Sequence, residues 1–196
     1  MKTNRTLLII IAVILVLLIF RGCQGYNKLV TLREQVNREW ANVENVYQRR
    51  ADLIPNLVNT VKGYAAHEQE TFTRVVEARS QATSIHIDAA NMTEEDLKHF
   101  QAAQGEISSA LSRLIAIAEN YPDLKANQNF LELQAQLEGT ENRIAVERRK
   151  FNETATTYNT EIKKFPTIIF AGWFGFKERP YFEAEAGAEQ APEVQF

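Results

Sequence analysis

Phe130, Leu137, Ile144, Phe151, Tyr158 and Phe165 stand seven residues apart without a miss in this 196-residue chain. Seven residues are close to two α-helical turns, so the repeat draws one apolar stripe down one side of a rod. A stripe that long has to be buried against a partner rod of similar length. Two further segments follow the same rule. Leu29, Val36 and Val43 are seven apart, with Trp40 and Tyr47 four after the last two. Leu97, Phe100, Gln104, Ile107, Leu111, Leu114, Ala118 and Tyr121 alternate steps of three and four. From Tyr26 to Phe165 the chain reads as helix almost throughout. The expectation is an all-α fold, an antiparallel bundle of three to four long helices.

The breaks between rods are legible as well. Asp52 can cap a helix whose first turn holds Pro55, where a missing N–H costs nothing. That helix would turn Ile54, Leu57, Val58, Val61, Ala65, Phe72, Val75 and Val76 inward. The pattern fades over 84–91, and Thr93 with Glu95 and Asp96 reads as a new start. Tyr121-Pro122 ends the third helix, because the residue before Pro disfavours the α region. Asn127 caps the fourth, and Pro166 closes it. The spacing therefore predicts helices over about 5–50, 53–82, 93–120 and 128–164. The last would be about 55 Å long, and the first two together would make one broken rod of comparable length.

Leu7 to Phe20, LLIIIAVILVLLIF, is unbroken apolar sequence behind Lys2 and Arg5. A helix apolar on every face gains nothing in water, so the run is a membrane or targeting element. It covers about 21 Å of a roughly 30 Å hydrocarbon core, which is short for a span. As a retained anchor, the favoured reading, Gly22 to Gly25 extend it, Arg21 snorkels outward, and Tyr26 sits among headgroups. A cleaved signal peptide and a lipoprotein signal ending at Cys23 remain open. The short N-terminal flank leans the rest of the chain toward the extracytoplasmic side.

Phe165 to Phe176, FPTIIFAGWFGF, is apolar and aromatic but too short to span a bilayer. The favoured expectation is that it folds back over the bundle; the alternative is an interfacial membrane dip or an oligomer contact. Beyond Phe182, EAEAGAEQAPEVQF is acidic and low in complexity, and reads as a disordered tail.

Chemistry is hard to place on this sequence. Net charge is −3, without the basic excess that nucleic-acid binding requires. Cys23 is the only cysteine, which excludes an internal disulfide and any multi-thiolate metal site. His67-Glu68-x-Glu70 lacks the second histidine of a zinc-protease helix. Asp96 and His99 make one approximate Glu-x-x-His pair where a di-iron bundle needs two. Glu68-Glu70 and Glu94-Glu95 are accounted for as solvated helix faces, and Gly172 with Gly175 lacks the Lys-Ser of a phosphate loop. No catalytic, cofactor-binding or metal-ligating residue is expected. Arg49-Arg50 and Glu147-Arg148-Arg149-Lys150 are read as ion pairs that fix helix register, with a docking patch for an acidic partner as the sharper alternative.

RRADLIPNLVNTVKGYAAHE at 49–68 and AENYPDLKANQNFLELQAQLEGTENRIAVERRKFNE at 118–153 resemble the LemA family of bacterial membrane proteins. So do YNTEIKKFP and FAGWFGFKERPYFE near the C-terminus, with the blocks in the family's order. The resemblance implies an N-terminal membrane anchor, here over 1–25, and an antiparallel helical bundle over 26–182; the acidic tail over 183–196 departs from the family and is this chain's own. It implies no enzymatic activity, no cofactor and no known small-molecule substrate. The expected role is a non-catalytic scaffold or adaptor, held single-pass in the bacterial inner membrane by its N-terminal helix. It would act through self-assembly or protein partners. The alternative is a small-ligand or metal-binding sensor using the bundle interior, for which Gln104 is the inward polar candidate.

Overall fold

A computed structural model describes residues 2–183. The order is α1 (Lys2–Lys62), α2 (Gln69–Ser84), α3 (Glu94–Ile117), α4 (Pro122–Lys125), α5 (Gln128–Lys163) and α6 (Thr167–Trp173), with a 3-10 turn at Ala118–Asn120. No strand occurs among the described residues. The acidic tail expected over 183–196 lies outside them, Glu183 excepted.

Two long rods organise the molecule. α1 has 61 residues, about 90 Å, and α5 has 36, about 54 Å. Lys28 pairs with Glu161 and Arg50 with Glu141, so positions rise along α1 as they fall along α5, and Tyr64 just past the end of α1 bonds the α5 cap residue Asn127. The stripe read from the sequence is the seam: Phe130, Leu137, Ile144, Phe151 and Tyr158 are all buried. Phe165 is not, at 82% exposed, because α5 stops at Lys163 and the chain turns away before the stripe reaches it. α2 and α3 pack on the rods. Thr93 and Asp96 form a reciprocal capping box at the start of α3, and the Asn127 side chain accepts from the Phe130 N–H at 3.0 Å to open α5.

The break expected at Asp52 does not occur. α1 runs through Pro55 to Lys62, turns over 63–68, and only then gives way to α2. Proline removes the N–H that would have bonded the Ala51 carbonyl. Arg79 of α2 fills that vacancy, its Nε donating to the Ala51 oxygen at 2.8 Å. A neighbouring helix thus supplies the missing donor and the rod stays whole. Of the residues expected to face inward here, Val76 points out at 53% exposure, because Phe72, Val75 and Ala78 already fill the inner side of α2.

The core divides in two. One cluster, at the far end, joins Ile54, Leu57, Val61, Phe72, Val75, Ile107, Leu114, Phe130 and Leu137. The other, nearer the N-terminal run, joins Leu29, Val36, Trp40, Val43, Phe100, Phe151, Tyr158 and Phe182. Trp40 is its centre, edge-on to Phe100 and Phe151 and stacked on Phe182 with centroids 6.1 Å apart. Each such ring pair adds about 0.5–1.5 kcal/mol beyond the area it buries.

Candidate functional site

Between the two clusters lies a polar layer built on Arg50, which is 2% exposed. One terminal nitrogen donates to Ser108 Oγ at 2.9 Å and to Glu141 Oε1 at 2.6 Å. The other donates to the Gln104 carbonyl at 3.1 Å and to Gln104 Oε1 at 2.5 Å. The guanidinium also lies over the Tyr47 ring, 5.1 Å from its centroid. Its planar fork reaches α3 and α5 at once, which the single-point ammonium of a lysine could not do. A sliding helix would strand this buried charge, so the layer fixes the axial register of three helices. Burial also removes Arg50 from any docking patch, while Arg49 beside it is exposed. Glu147 is half-buried and pairs with Lys150 at 2.9 Å.

A second device closes the open side of α5. Asn159 donates from Nδ2 to the Arg179 carbonyl and accepts from the Arg179 N–H, both at 2.8 Å. Asn152 does the same to Phe182, at 2.9 and 2.8 Å. Seven helical residues rise about 10.5 Å, and three extended residues span about 10 Å. The two asparagines therefore match an extended strap running back along the helix. Arg179 in the strap is buried, and one terminal nitrogen donates to the Ala90 carbonyl at 2.6 Å. Burial pushes its pKa below the ordinary arginine value. Glu183 ends the strap, its carbonyl accepting from Gln101 and Arg148.

The third feature lies at the N-terminal end. Among the described side chains of the apolar run, Leu7, Ile9, Val13, Val16, Leu17 and Phe20 are each more than half exposed. The helix carrying them is long and apolar enough to cross a membrane. α6 docks where the run ends. Phe170 lies so close to Gly22 that an added Cβ would meet its ring at 3.0 Å, and Tyr26 sits edge-on to Phe174 at 4.9 Å. The segment thus both folds back, burying Thr167, Ala171 and Phe176, and leaves an aromatic outer face. Between α6 and α1 runs an open, largely apolar groove of about 450 Å³, lined by Gly22, Cys23, Tyr26, Asn27, Phe170, Trp173 and Phe174.

The residues weighed for chemistry are scattered. His67, His86 and His99 are exposed and on different segments. Asp96 is occupied in the α3 cap, where hydrogen bonds from Thr93 hold its pKa below the usual carboxylate value. Among the described residues no three His, Cys, Asp or Glu side chains gather as a metal site would require. Gln104, the inward polar group a ligand would need, is already bonded to Arg50.

The LemA family model matches residues 39–196. The chain belongs to the LemA family. Magnetosome protein MamQ of Magnetospirillum gryphiswaldense is similar, 31% identical over 180 residues that cover 83% of this chain and 66% of that one. Magnetosome protein MamQ 2 of Paramagnetospirillum magneticum is 29% identical over 181 residues, covering 84% and 66%. Protein LemA of Metamycoplasma hominis is 25% identical over 145 residues, covering 74% and 63%. This LemA-family chain therefore spans just under two-thirds of the length of these relatives. None of their names states a catalytic activity.

Several residues that organise this LemA-family chain escape a reading by periodicity. Arg50 is legible as a register-fixing ion pair, but nothing in the sequence marks it, rather than Arg49, as buried. Asn152 and Asn159, seven apart, carry the one available signal for the strap: a polar pair at the stripe's own spacing. Arg79 carries none, since its role exists only once Pro55 lies inside a helix.

Proposed function

We propose that this chain is a non-catalytic scaffold or adaptor, anchored single-pass in a bacterial cell membrane and acting through self-assembly or protein partners. Residues 1–25 form the anchor and 26–182 the working bundle, on the extracytoplasmic side. The carrying observation is the continuity of α1, one helix from the exposed apolar run into the deepest core. Whatever docks on the bundle is held at a set height and angle from the lipid. The buried polar groups are spent on register and closure, which suits a body that must keep its shape.

Crosslinking in intact cells followed by mass spectrometry tests this directly. Self-crosslinked species or a reproducible protein partner are expected. A strictly monomeric full-length protein in native membranes, with nothing co-purifying, would overturn it. Protease treatment of sealed vesicles decides the side: an extracytoplasmic bundle is cut in right-side-out vesicles and protected in inverted ones until they are opened with detergent, and the reverse pattern would place it in the cytoplasm.

A further inference from the structure

The apolar run, at about 21 Å, falls some 9 Å short of a roughly 30 Å hydrocarbon core, which is six helical residues. The next six, 21–26, are where α6 packs, through Phe170 on Gly22 and Phe174 on Tyr26. The outer face of α6 carries no polar side chain. Phe165 is 82% exposed and Trp173 77%, with Ile168 and Ile169 at 50% and 43%. Exposed lysines bracket the segment: Lys163 and Lys164 before it, Lys177 after it. An amphipathic segment of indole, phenyl and branched aliphatic groups between lysines has the composition of the headgroup–acyl boundary.

We propose that α6 is a second membrane-contacting element, its outer face with Phe165 and Trp173 seated in the interfacial layer of the bilayer that holds the α1 run. The occupant is lipid because this face adjoins the end of the apolar run, where Phe20 is 61% exposed, and sits at the height where the run gives out. α6 adds apolar surface beside α1 over 21–26, while Arg21 extends to the headgroups. The bundle then meets the membrane through two elements, which restricts its tilt. This rests on the reading of residues 7–20 as a membrane span.

The two tryptophans make a direct test. Trp173 is on the proposed face, whereas Trp40 is buried and about 30 Å along α1 from Phe20. The full chain is reconstituted in phosphatidylethanolamine–phosphatidylglycerol vesicles containing lipid brominated on its acyl chains, and tryptophan emission is followed. The Trp173 share of the emission should be lost, and the Trp173→Phe variant should show no quenching. Phe20→Trp, placed in the Trp173→Phe background, reports on the span alone. Quenching at position 20 with an unquenched Trp173 overturns the inference and leaves the anchor standing. No quenching at either position overturns both. A Trp173 shielded from aqueous acrylamide yet unquenched by bromolipid means that a second copy or another protein covers α6, and this also overturns the inference.

Discussion

Glu141→Ala should destabilise the protein more than Arg50→Met, although both break the same ion pair. Removing Glu141 leaves a guanidinium 2% exposed with only Ser108 and Gln104 as acceptors. Breaking a fully buried pair from one side costs about 3–5 kcal/mol, and an exposed pair contributes about 0–1. Glu141 is 46% exposed, so water screens the pair and the expected loss is about 2–3 kcal/mol. Arg50→Met instead removes the charge and puts a flexible apolar chain between the two clusters. What remains is a buried Gln104 amide without its donor, about 1–2 kcal/mol after the gain from methionine. Adding Gln104→Leu to Arg50→Met removes that orphan and joins the clusters, so the double variant should return to within about 1 kcal/mol of the parent or exceed it. Full-length protein in detergent, unfolded in urea and followed by helical circular dichroism, gives the three values. An Arg50→Met loss equal to or greater than that of Glu141→Ala would refute the view that the layer serves register rather than net stability.

Other consequences follow from the same contacts. Arg79→Met strands the Ala51 carbonyl and should cost about 1–3 kcal/mol, while adding Pro55→Ala supplies the missing N–H and should restore most of it in thermal melts. Asn159→Ala removes both bonds to the Arg179 backbone, so limited proteolysis should cut within 177–183 far sooner than in the parent, with little change in helix content. Gly22→Leu drives a side chain into the Phe170 ring and should displace α6, so limited proteolysis in detergent should cut within 163–177 sooner than in the parent. A hydrogen bond from Lys28, opposed by partial burial and helped by Lys164, holds the Glu161 pKa below its ordinary value of 4.5. A depressed carboxylate contributes stability that is present above the unfolded pKa and is lost as pH falls through the folded one. Melting temperature should therefore decline below about pH 4.5, and Glu161→Gln should make that decline shallower.

The rods were legible because their period is a backbone property that tertiary context rarely overturns. Phe130 through Tyr158, Leu97 through Ala118 and the caps at Thr93 and Asn127 all lie where the spacing puts them. Pro55 was misplaced for a definite reason. Proline is penalised in a helix for a lost hydrogen bond, and the sequence does not reveal that Arg79, 24 residues on, will donate in its place. The ion pair expected of Arg50 is present, but its burial could not be read because it depends on acceptors from α3 and α5. The strap was hidden for a related reason: residues 177–183 have no periodicity, and their backbone bonds go to side chains of another element.

These contacts have a mechanical consequence for an anchored body. A helix bends most readily at a proline that removes a ladder hydrogen bond, and glycine is its least restrained residue. In α1 the vacancy opposite Pro55 is filled by Arg79, and Gly22 is covered by Phe170. This leaves Gly25 as the uncovered glycine of the rod, just below the first tie to α5 at Lys28. Lys28 and Arg50 tie the rod to α5 at two heights, and Tyr64 just beyond its end bonds the α5 cap residue Asn127. From Phe20 to Lys62 is about 63 Å of helix. With the run in lipid, the far end stands about that distance along the rod from the membrane, and its motion follows the anchor's tilt. A few degrees at the lipid become several ångströms at the far end. A partner bound there would feel the orientation of α1 more strongly than its depth. If the chain acts as the proposed scaffold, changes that tilt the anchor should therefore alter crosslinking to its partners before they alter its melting temperature.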